Sequence, residues 1–251
     1  MPKIVLHDAR RALIDLGAYV MTHVDLSRCL HIAGDEWDGL AAHWDDLLPD
    51  AYAADVGAAR TRRYGQFLLD GPESVVPLAH DEFVQPKHSN PLYLDRQRSF
   101  APLTKAFAAE PLLIRLLRML TWLADGLDEQ PRWIARVNPV RVLAAQGRAL
   151  PTPEGLHRDG MTLVTSLLIN RSNAIGGETA VVDTDARPVL TTTLVEPGTL
   201  VLSDDRRTLH GVSPIRPAHP GAPAVRDVLV VTFAPAPTDV DGQRQESTAS
   251  V

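Results

Sequence analysis

The sequence has a single cysteine, Cys29, no run of 18 apolar residues and no cluster of basic side chains interleaved with aromatics. One cysteine excludes an intrachain disulfide and a multi-cysteine zinc site, and it fits a reducing cytoplasm. Without an apolar run at the start MPKIVLHDARR or elsewhere, the sequence predicts neither a signal peptide nor a membrane helix. The net charge of −6 argues against nucleic acid as a partner. We therefore expect a cytoplasmic protein without membrane partners, whose oligomeric state the sequence leaves open, a homo-oligomer included.

The texture of the sequence changes after residue 131, although no repeat or linker divides the chain. Residues 1–130 carry apolar side chains mainly at helical spacing, whereas residues 131–234 contain short β-type runs separated by turn residues. These runs are NPVRVLAAQ, MTLVTSLLIN, ETAVVD, TLVLSDD and RDVLVVTF. Residues 235–251 have little apolar content, which predicts a disordered tail. We expect one α+β domain over residues 1–234, with a helical N-terminal half and a β-rich core.

A few residues of the first half indicate where its elements begin and end. Gly17 is expected to stop a first helix in the left-handed conformation, and AYVMTHV after it is typical of a strand. In the helical region 101–125, Pro111 fits the first turn of a new helix and Gly126 is expected to end that helix.

The stretch PEGLHRDG, residues 153–160, places a histidine and a carboxylate two residues apart, directly before a long β-type run. On an extended backbone, residues two apart point to the same face, so His157 and Asp159 would project together while Arg158 points away. An imidazole nitrogen and a carboxylate oxygen suit a divalent metal of intermediate hardness. Because such a pair also occurs in ordinary solvated loops, a metal site needs a third ligand from elsewhere.

His210 is the candidate for that third ligand, since it follows the β-type run TLVLSDD and precedes a glycine. The remaining histidines lie in the first half or in a proline-rich loop: His7, His23, His31, His43, His80, His88 and His219. With His157 and Asp159, His210 would complete the 2-His-1-carboxylate triad of non-haem iron(II) oxygenases, which leaves three positions of octahedral iron open.

Four segments of the second half carry a family pattern: PEGLHRDG, LLINRSNAIGGETAVVD, PGTLVLSDDRRTLHGVSPI and RDVLVVTF. Together they resemble the bacterial Fe(II)/2-oxoglutarate-dependent dioxygenases typified by L-isoleucine 4-hydroxylase, and the likeness extends more faintly to RRYGQFLL and QPKHSNPLYLDRQRSFAPL. The resemblance implies a double-stranded β-helix, a cupin-like jelly roll, supported by N-terminal helices. It also implies a reaction of Fe(II), O2 and the co-substrate 2-oxoglutarate, in which succinate and CO2 are released and the side chain of a free L-amino acid is hydroxylated.

The co-substrate 2-oxoglutarate chelates iron through its 1-carboxylate and 2-keto oxygens, and its far carboxylate needs a buried cation. The resemblance places that cation on the strand after the second histidine, where Arg226 opens RDVLVVTF. Thr232 would share a face with Arg226. Ser213 is a candidate either for a hydroxyl contact with the co-substrate or for a turn. Arg216, in the loop before that strand, is the alternative cation.

The substrate would be held by protein groups alone, near the mouth of the barrel. Candidates in the segments that resemble amino acid hydroxylases are Tyr64, Gln66, His88, Asn90, Arg98 and Arg141. Arg141 either binds the substrate carboxylate or faces solvent on an outer sheet, and the sequence leaves both open. Gly176 and Gly177 are expected to supply positive φ in the turn AIGGE.

Other classes of function use the same residue types. A non-catalytic barrel that senses metal or 2-oxoglutarate would need the three ligands but no pocket for a second small molecule. An oxygenase acting on a peptide-bound or carrier-bound aminoacyl group would differ only in its substrate. Zinc hydrolysis is compatible with the ligands, whereas Asp159 disfavours halogenation and the absence of GxSxG disfavours serine hydrolysis. The resemblance favours a small-molecule amino acid as the partner.

Overall fold

A computed structural model describes residues 2–54, 59–71, 73–80 and 98–237 of the chain. The helices are α1 (Pro2–Asp15), α2 (His23–Leu30), α3 (Glu36–Ala42), a 3-10 turn (His43–Asp46), α4 (Ala51–Ala54), α5 (Lys105–Ala108) and α6 (Pro111–Leu127). The strands are β1 (Ala18–Met21), β2 (Leu48–Pro49), β3 (Arg60–Arg62), β4 (Gly65–Asp70), β5 (Ser74–Pro77), β6 (Arg132–Ala144), β7 (Leu163–Ser172), β8 (Ala174–Gly176), β9 (Glu178–Asp183), β10 (Pro188–Thr193), β11 (Leu200–Asp204), β12 (Thr208–Val212), β13 (Ile215–Pro217) and β14 (Ala224–Pro235).

The strands form two main antiparallel sheets. Within the described residues, the large sheet runs in the order β1-β11-β7-β14-β6-β3-β2, and β4 and β5 extend it from β6. The small sheet has the order β10-β9-β12, and β8 pairs separately with β13. A cavity between the two sheets is lined from β6, β7 and β14 on one side and from β9 and β12 on the other.

Alternation along β6 gives the large sheet two different faces. Ala135 and Val137 join the apolar core under the helices, whereas Arg136 and Asn138, one residue along in each case, line the cavity between the sheets. Successive side chains of a strand point to opposite faces, so one strand serves both an apolar core and a polar cavity. The helices cover the outer face of the large sheet, and the inner face lines the cavity.

Helix α6 carries much of the apolar core. The Glu110 side chain accepts a hydrogen bond from the Leu112 backbone N–H, and Pro111 occupies the first turn as predicted, since its missing N–H is not needed there. The prediction that Gly126 ends the helix was wrong, because α6 continues to Leu127. A Cβ at Gly126 would overlap the Arg10 side chain of α1, so this glycine permits close helix packing.

The first half contains more strands than we expected. Residues 1–130 include β1 to β5 as well as helices, and β3 and β4 pair with β6 in the large sheet. The strand expected over AYVMTHV ends at Met21, because Thr22 caps α2 by accepting a hydrogen bond from the Asp25 N–H. Gly17 does adopt a positive φ, +91°, after α1. The short segments β3 and β4 become strands because they pair with the long strand β6, which is distant in sequence. Local periodicity does not encode such pairing.

At the C-terminal end, β14 continues to Pro235, and the Ala236 N–H donates a hydrogen bond to the Arg132 carbonyl. The predicted disordered tail falls mainly on residues 238–251, which lie outside the described residues, so it stays a prediction. Among the helices that the structure describes, none has the length and apolar character needed to cross a membrane.

Candidate metal and co-substrate site

Three side chains converge at one end of the cavity. His157, Asp159 and His210 each offer a ligand atom, and these atoms lie within 4.8 Å of one another. The Asp159 carboxylate is 3.8 Å from Nε2 of His157 and 3.7 Å from Nε2 of His210. Two imidazoles and one carboxylate at these separations fit a divalent metal of the iron type, with further coordination positions left open.

The backbone that carries the triad differs from our expectation in one respect. His210 lies on β12, but His157 forms only an isolated bridge with His210, and Asp159 follows in a loop. The bridge consists of two backbone hydrogen bonds, of 3.0 and 2.9 Å, between the two histidines. The prediction that His157 and Asp159 lie on one extended strand was therefore wrong. The prediction that their side chains project to the same point is confirmed.

Neighbouring groups orient the two imidazoles. Nδ1 of His157 lies 2.9 Å from the Gly155 carbonyl oxygen, so a proton on Nδ1 can be donated there and Nε2 is left to bind a metal. Nδ1 of His210 lies 3.5 Å from the buried carboxylate of Asp205. Asp205 also accepts hydrogen bonds from the backbone N–H groups of Asp159 and Met161. Asp205 was not predicted from the sequence, where its signal is an aspartate pair ahead of His210.

The triad lies in negative surroundings. Burial lowers the pKa of His210, but the carboxylates of Asp205, Asp159 and Glu154 outweigh it and raise that pKa above its ordinary value. Glu154, which was not predicted as a site residue, lines the cavity with Oε1 3.4 Å from Nε2 of His157. Such a field favours a divalent cation, whose binding must displace any proton on the imidazoles.

Arg226 enters the same cavity from β14. Its residue is 2% exposed, and Val228, Val230 and Thr232 line the cavity with it, as expected for alternate residues of one strand. Its Nε and Nη2 make no hydrogen bond with any described residue. Burial, followed by the charge of Arg171, lowers the pKa of Arg226 to about 10. A buried guanidinium with two nitrogens that make no hydrogen bond within the described residues is suited to bind a carboxylate ligand.

Arg171 lies opposite Arg226 in the β7–β14 ladder. Its Nη2 donates hydrogen bonds to the carbonyls of Ala174 and Gly176, whereas its buried Nη1 makes none with the described residues. A Cβ at Gly177 would lie 3.1 Å from this Nη1 and 3.6 Å from Cδ of Arg226, so both arginine side chains converge on this turn. Gly176 and Gly177 have positive φ values of +80° and +72°, as predicted.

The other candidates for the co-substrate differ in position. Thr232 lines the cavity. Ser213 is not among the lining residues, and its hydroxyl accepts a hydrogen bond from the Glu178 backbone N–H, which is the turn role. Arg216, the alternative cation, lies on β13 and also stays outside the lining.

Arg141 does not face the cavity. Its guanidinium forms a bidentate pair with the buried Asp227, with Nε to Oδ1 at 2.8 Å and Nη2 to Oδ2 at 2.9 Å, and it lies 3.7 Å from Asp45. The cavity is lined instead by its alternate neighbours on β6, Val140 and Val142. Of the two positions that the sequence left open for Arg141, the structure shows the one on the outer face of the sheet, and a role in binding the substrate stays an untested prediction.

The remaining substrate candidates separate into three groups. Arg98 lines the cavity. Tyr64 is buried against Phe100 and Gln66 lies on β4 opposite Arg136, and neither is among the lining residues. His88 and Asn90 lie outside the described residues.

The cavity wall also contains three arginines and an asparagine that were not predicted as site residues from the sequence: Arg60, Arg62, Arg136 and Asn138. The two on β6 had a signal, since they alternate with the cavity-lining valines at period two. Arg60 and Arg62 had none, because β3 was not predicted.

Comparison with known proteins identifies similar sequences and folds. The sequence model of a family described as 2OG-Fe dioxygenase matches residues 41–232. No curated protein matches the chain. A crystal structure of a bsmA homolog from Methylobium petroleophilum PM1 is similar, with 32% identity, a TM-score of 0.84, and coverage of 92% of this chain and 93% of that one.

Two further solved structures share the fold at lower identity. IDO from Bacillus thuringiensis has 19% identity and a TM-score of 0.75, over 92% of this chain and 96% of its own. The Fe(II)/(alpha)ketoglutarate-dependent dioxygenase TqaL has 16% identity and a TM-score of 0.73, over 96% of this chain and 91% of its own. The α+β double-stranded β-helix that the sequence predicted is thereby confirmed.

Proposed function

Because the chain belongs to the 2OG-Fe dioxygenase family, we propose that it hydroxylates the side chain of a free L-amino acid. Its family implies Fe(II), 2-oxoglutarate and O2, and the His-Asp-His triad is compatible with them. His157, Asp159 and His210 would hold Fe(II), which when bound would supply the chemistry of O2 activation coupled to oxidative decarboxylation of 2-oxoglutarate to succinate and CO2. The chain's own residues must then hold two small molecules in one cavity.

We assign the far carboxylate of 2-oxoglutarate to Arg226. Its guanidinium is buried in the cavity that also holds the triad, and two of its nitrogens have no hydrogen bond with described residues. A planar fork of donors matches a carboxylate in a bidentate geometry and neutralises the buried charge. Val228 and Val230 line the cavity on the same strand, and an apolar wall of low dielectric strengthens such a charge pair.

One observation supports a second small molecule, and therefore an enzyme in place of a sensor. Arg98, predicted from sequence as a substrate residue, lines the same cavity as the triad but lies outside the strand that carries Arg226. A sensor of 2-oxoglutarate needs one anion-binding group, whereas an amino acid hydroxylase needs a second for the substrate carboxylate. Rigid positioning matters because a displacement of about 1 Å can cost on the order of a hundredfold in rate.

The experiment is an anaerobic titration with Fe(II) and 2-oxoglutarate, followed by exposure to O2 with each of the twenty amino acids. We expect one or a few of them to stimulate succinate release and to gain the mass of one oxygen, and Asp159→Ala to remove both signals. If only a peptide-bound or carrier-bound aminoacyl group stimulates succinate release, the protein is still a dioxygenase, but a free amino acid is not its substrate. Binding of both ligands without stimulated turnover would favour a sensor.

The proposed function also bears on the binding partners and the cellular compartment of the protein. We propose a small-molecule partner and no nucleic acid or membrane partner, in line with the net charge of −6. The single cysteine is half-buried and is in no disulfide, which suits the reducing cytoplasm that we propose as its compartment.

A further inference from the structure

Two adjacent aspartates lie where β11 ends and the chain turns towards β12, the strand that carries His210. Asp204 and Asp205 are each 1% exposed. A carboxylate buried to this extent is costly unless hydrogen bonds or a cation compensate its charge. The two side chains meet this requirement in different ways.

Asp204 is compensated within the turn itself. Its Oδ1 accepts hydrogen bonds from Nε of Arg206 at 2.9 Å and from the Arg206 backbone N–H at 3.2 Å, and its Oδ2 accepts one from Nη2 at 3.0 Å. Arg206 also donates a hydrogen bond to the Leu127 carbonyl at the end of α6. Among the described residues, this pair stabilises the turn and makes no contact with the triad.

The carboxylate of Asp205 faces the triad, and no lysine or arginine of the described residues pairs with it. Its Oδ2 accepts hydrogen bonds from the backbone N–H groups of Asp159 at 3.0 Å and Met161 at 2.9 Å. Gly160, between these two residues, has a positive φ of +74°, which lets both N–H groups turn towards one oxygen. The loop that carries the ligand Asp159 is thereby fixed to the turn ahead of His210.

The second oxygen of Asp205 faces His210. Oδ1 lies 3.5 Å from Nδ1 of His210, at the long limit of a hydrogen bond, and no other described residue offers this buried nitrogen a hydrogen bond. In a neutral imidazole one nitrogen carries the proton and the other has the free electron pair. A metal bound at Nε2 requires the proton on Nδ1, where Asp205 is the acceptor for it.

We propose that Asp205 is a positioning residue that organises two of the three metal ligands at once, because it anchors the loop of Asp159 and accepts the Nδ1 proton of His210. These two ligands are 51 residues apart in the sequence. One carboxylate in contact with both lowers the entropy cost of bringing them together. The inference goes beyond the proposed function, since it concerns the assembly of the metal site and holds for a hydroxylase and for a sensor.

Asp205→Asn separates the two contacts. The amide keeps an oxygen for the backbone N–H groups of Asp159 and Met161, but it presents an NH2 group to His210. That NH2 group opposes a proton on Nδ1 and favours the tautomer with its proton on Nε2, the nitrogen that the metal needs. We expect the dissociation constant for Mn(II), measured by calorimetry on metal-free protein, to rise about 10- to 100-fold.

The melting temperature of the metal-free Asp205→Asn protein should stay close to that of the wild type, because the contacts with the loop remain. Asp205→Ala, which removes both contacts, should bind Mn(II) more weakly still.

Asp204→Asn is the matched control, since Asp204 is the adjacent residue and is equally buried. This variant weakens the pair with Arg206, so it should lower the melting temperature and leave the dissociation constant for Mn(II) within a fewfold of wild type. A merely structural role for Asp205 would give its asparagine variant the same pattern as Asp204→Asn.

A measurement on the wild-type protein needs no variant and decides the question if a variant fails to fold. In Zn(II)-loaded protein with 15N-labelled histidine, NMR should show a slowly exchanging proton on Nδ1 of His210, because that nitrogen is buried against Asp205.

Three results would overturn the role of Asp205: unchanged Mn(II) affinity in both of its variants, an equal loss of affinity in Asp204→Asn, or a proton on Nε2 of His210 in the Zn(II)-loaded protein. Failure of the proposed function looks different. If Asp205→Asn weakens Mn(II) binding as expected while no amino acid is hydroxylated, the positioning role stands and only the substrate or the activity is wrong.

Discussion

Arg226 and Arg141 lie on neighbouring strands, β14 and β6, yet their guanidinium groups have opposite surroundings. Arg141 faces outwards and is paired through two hydrogen bonds with the buried carboxylate of Asp227. Arg226, the residue before Asp227, faces the cavity, and its Nε and Nη2 have no hydrogen bond with described residues. Hydrogen bonding to Asp227 raises the pKa of Arg141, whereas burial lowers that of Arg226 to about 10.

The hydrogen-bond partners of the two guanidinium groups distinguish a structural arginine from one that binds a ligand. The structural arginine has its carboxylate within the fold, so its charge stabilises the folded chain. The other is buried at a net cost, because its partner must come from solution. Variants on the outer face should therefore change stability, and variants on the inner face should change ligand binding.

The largest effect on activity is expected for the triad, which lines the cavity. Replacing His157, Asp159 or His210 by alanine should abolish turnover and weaken metal binding, because each supplies one of three protein ligands. Calorimetry with Mn(II) measures the metal affinity, and circular dichroism checks that the fold remains. If all three variants kept wild-type activity, the metal site would lie elsewhere.

Arg226→Gln should raise the dissociation constant for 2-oxoglutarate by about 30-fold or more, since a lost buried charge pair costs on the order of 2 to 5 kcal/mol. Metal affinity should change little. A lowered pKa means that the protonated arginine costs folding free energy at all pH values below about 10. The ligand-free variant should therefore melt no lower than wild type at pH 7, and 2-oxoglutarate should no longer raise its melting temperature. An unchanged dissociation constant would contradict the assignment.

Arg141→Gln should show the opposite pattern. Among the described residues, it leaves the buried Asp227 carboxylate with one side-chain hydrogen bond, of 3.3 Å from Asn170, so we expect a loss of about 2 kcal/mol in the free energy of unfolding. The affinity for 2-oxoglutarate and the KM of the amino acid should remain within twofold or so of wild type. Urea denaturation and enzyme kinetics provide the two measurements. A large rise in substrate KM at unchanged stability would restore Arg141 as a substrate residue.

The smallest effect is expected for Arg171→Gln. The charge of Arg171 acts on Arg226 but its Nη2 is occupied by backbone carbonyls, so it should attract the far carboxylate of 2-oxoglutarate mainly at a distance. We expect a rise of a few fold in the dissociation constant, which high salt should reduce. Pyruvate, which lacks the far carboxylate, serves as control and should bind equally to both proteins. Equal losses for both ligands would indicate a disturbed turn.

Local patterns were enough for several elements and side chains. The run ETAVVD is β9, Glu178–Asp183, as predicted, and Arg226 shares a face with Thr232 because period two along one strand needs no knowledge of its neighbours. Spacing likewise placed His157 and Asp159 together. The third ligand, His210, lies 51 residues beyond Asp159, and its position after a β-type run and before a glycine was enough to select it.

The residues that the sequence did not predict depend on contacts between distant segments. The alternation of β6 is readable, but its two faces become cavity and exterior only when β3 pairs with it and helices cover the other side. Of the two positions left open for Arg141, the outer face is the one occupied, because Asp227, 86 residues away, lies opposite it in the β6–β14 ladder and pairs with its guanidinium. Local sequence patterns were sufficient for strands β6, β7, β9, β11 and β14, for the ligand types and for which side chains share a face. Which arginines are neutralised depends on the folded sheet, because charge compensation follows from strand register between distant segments.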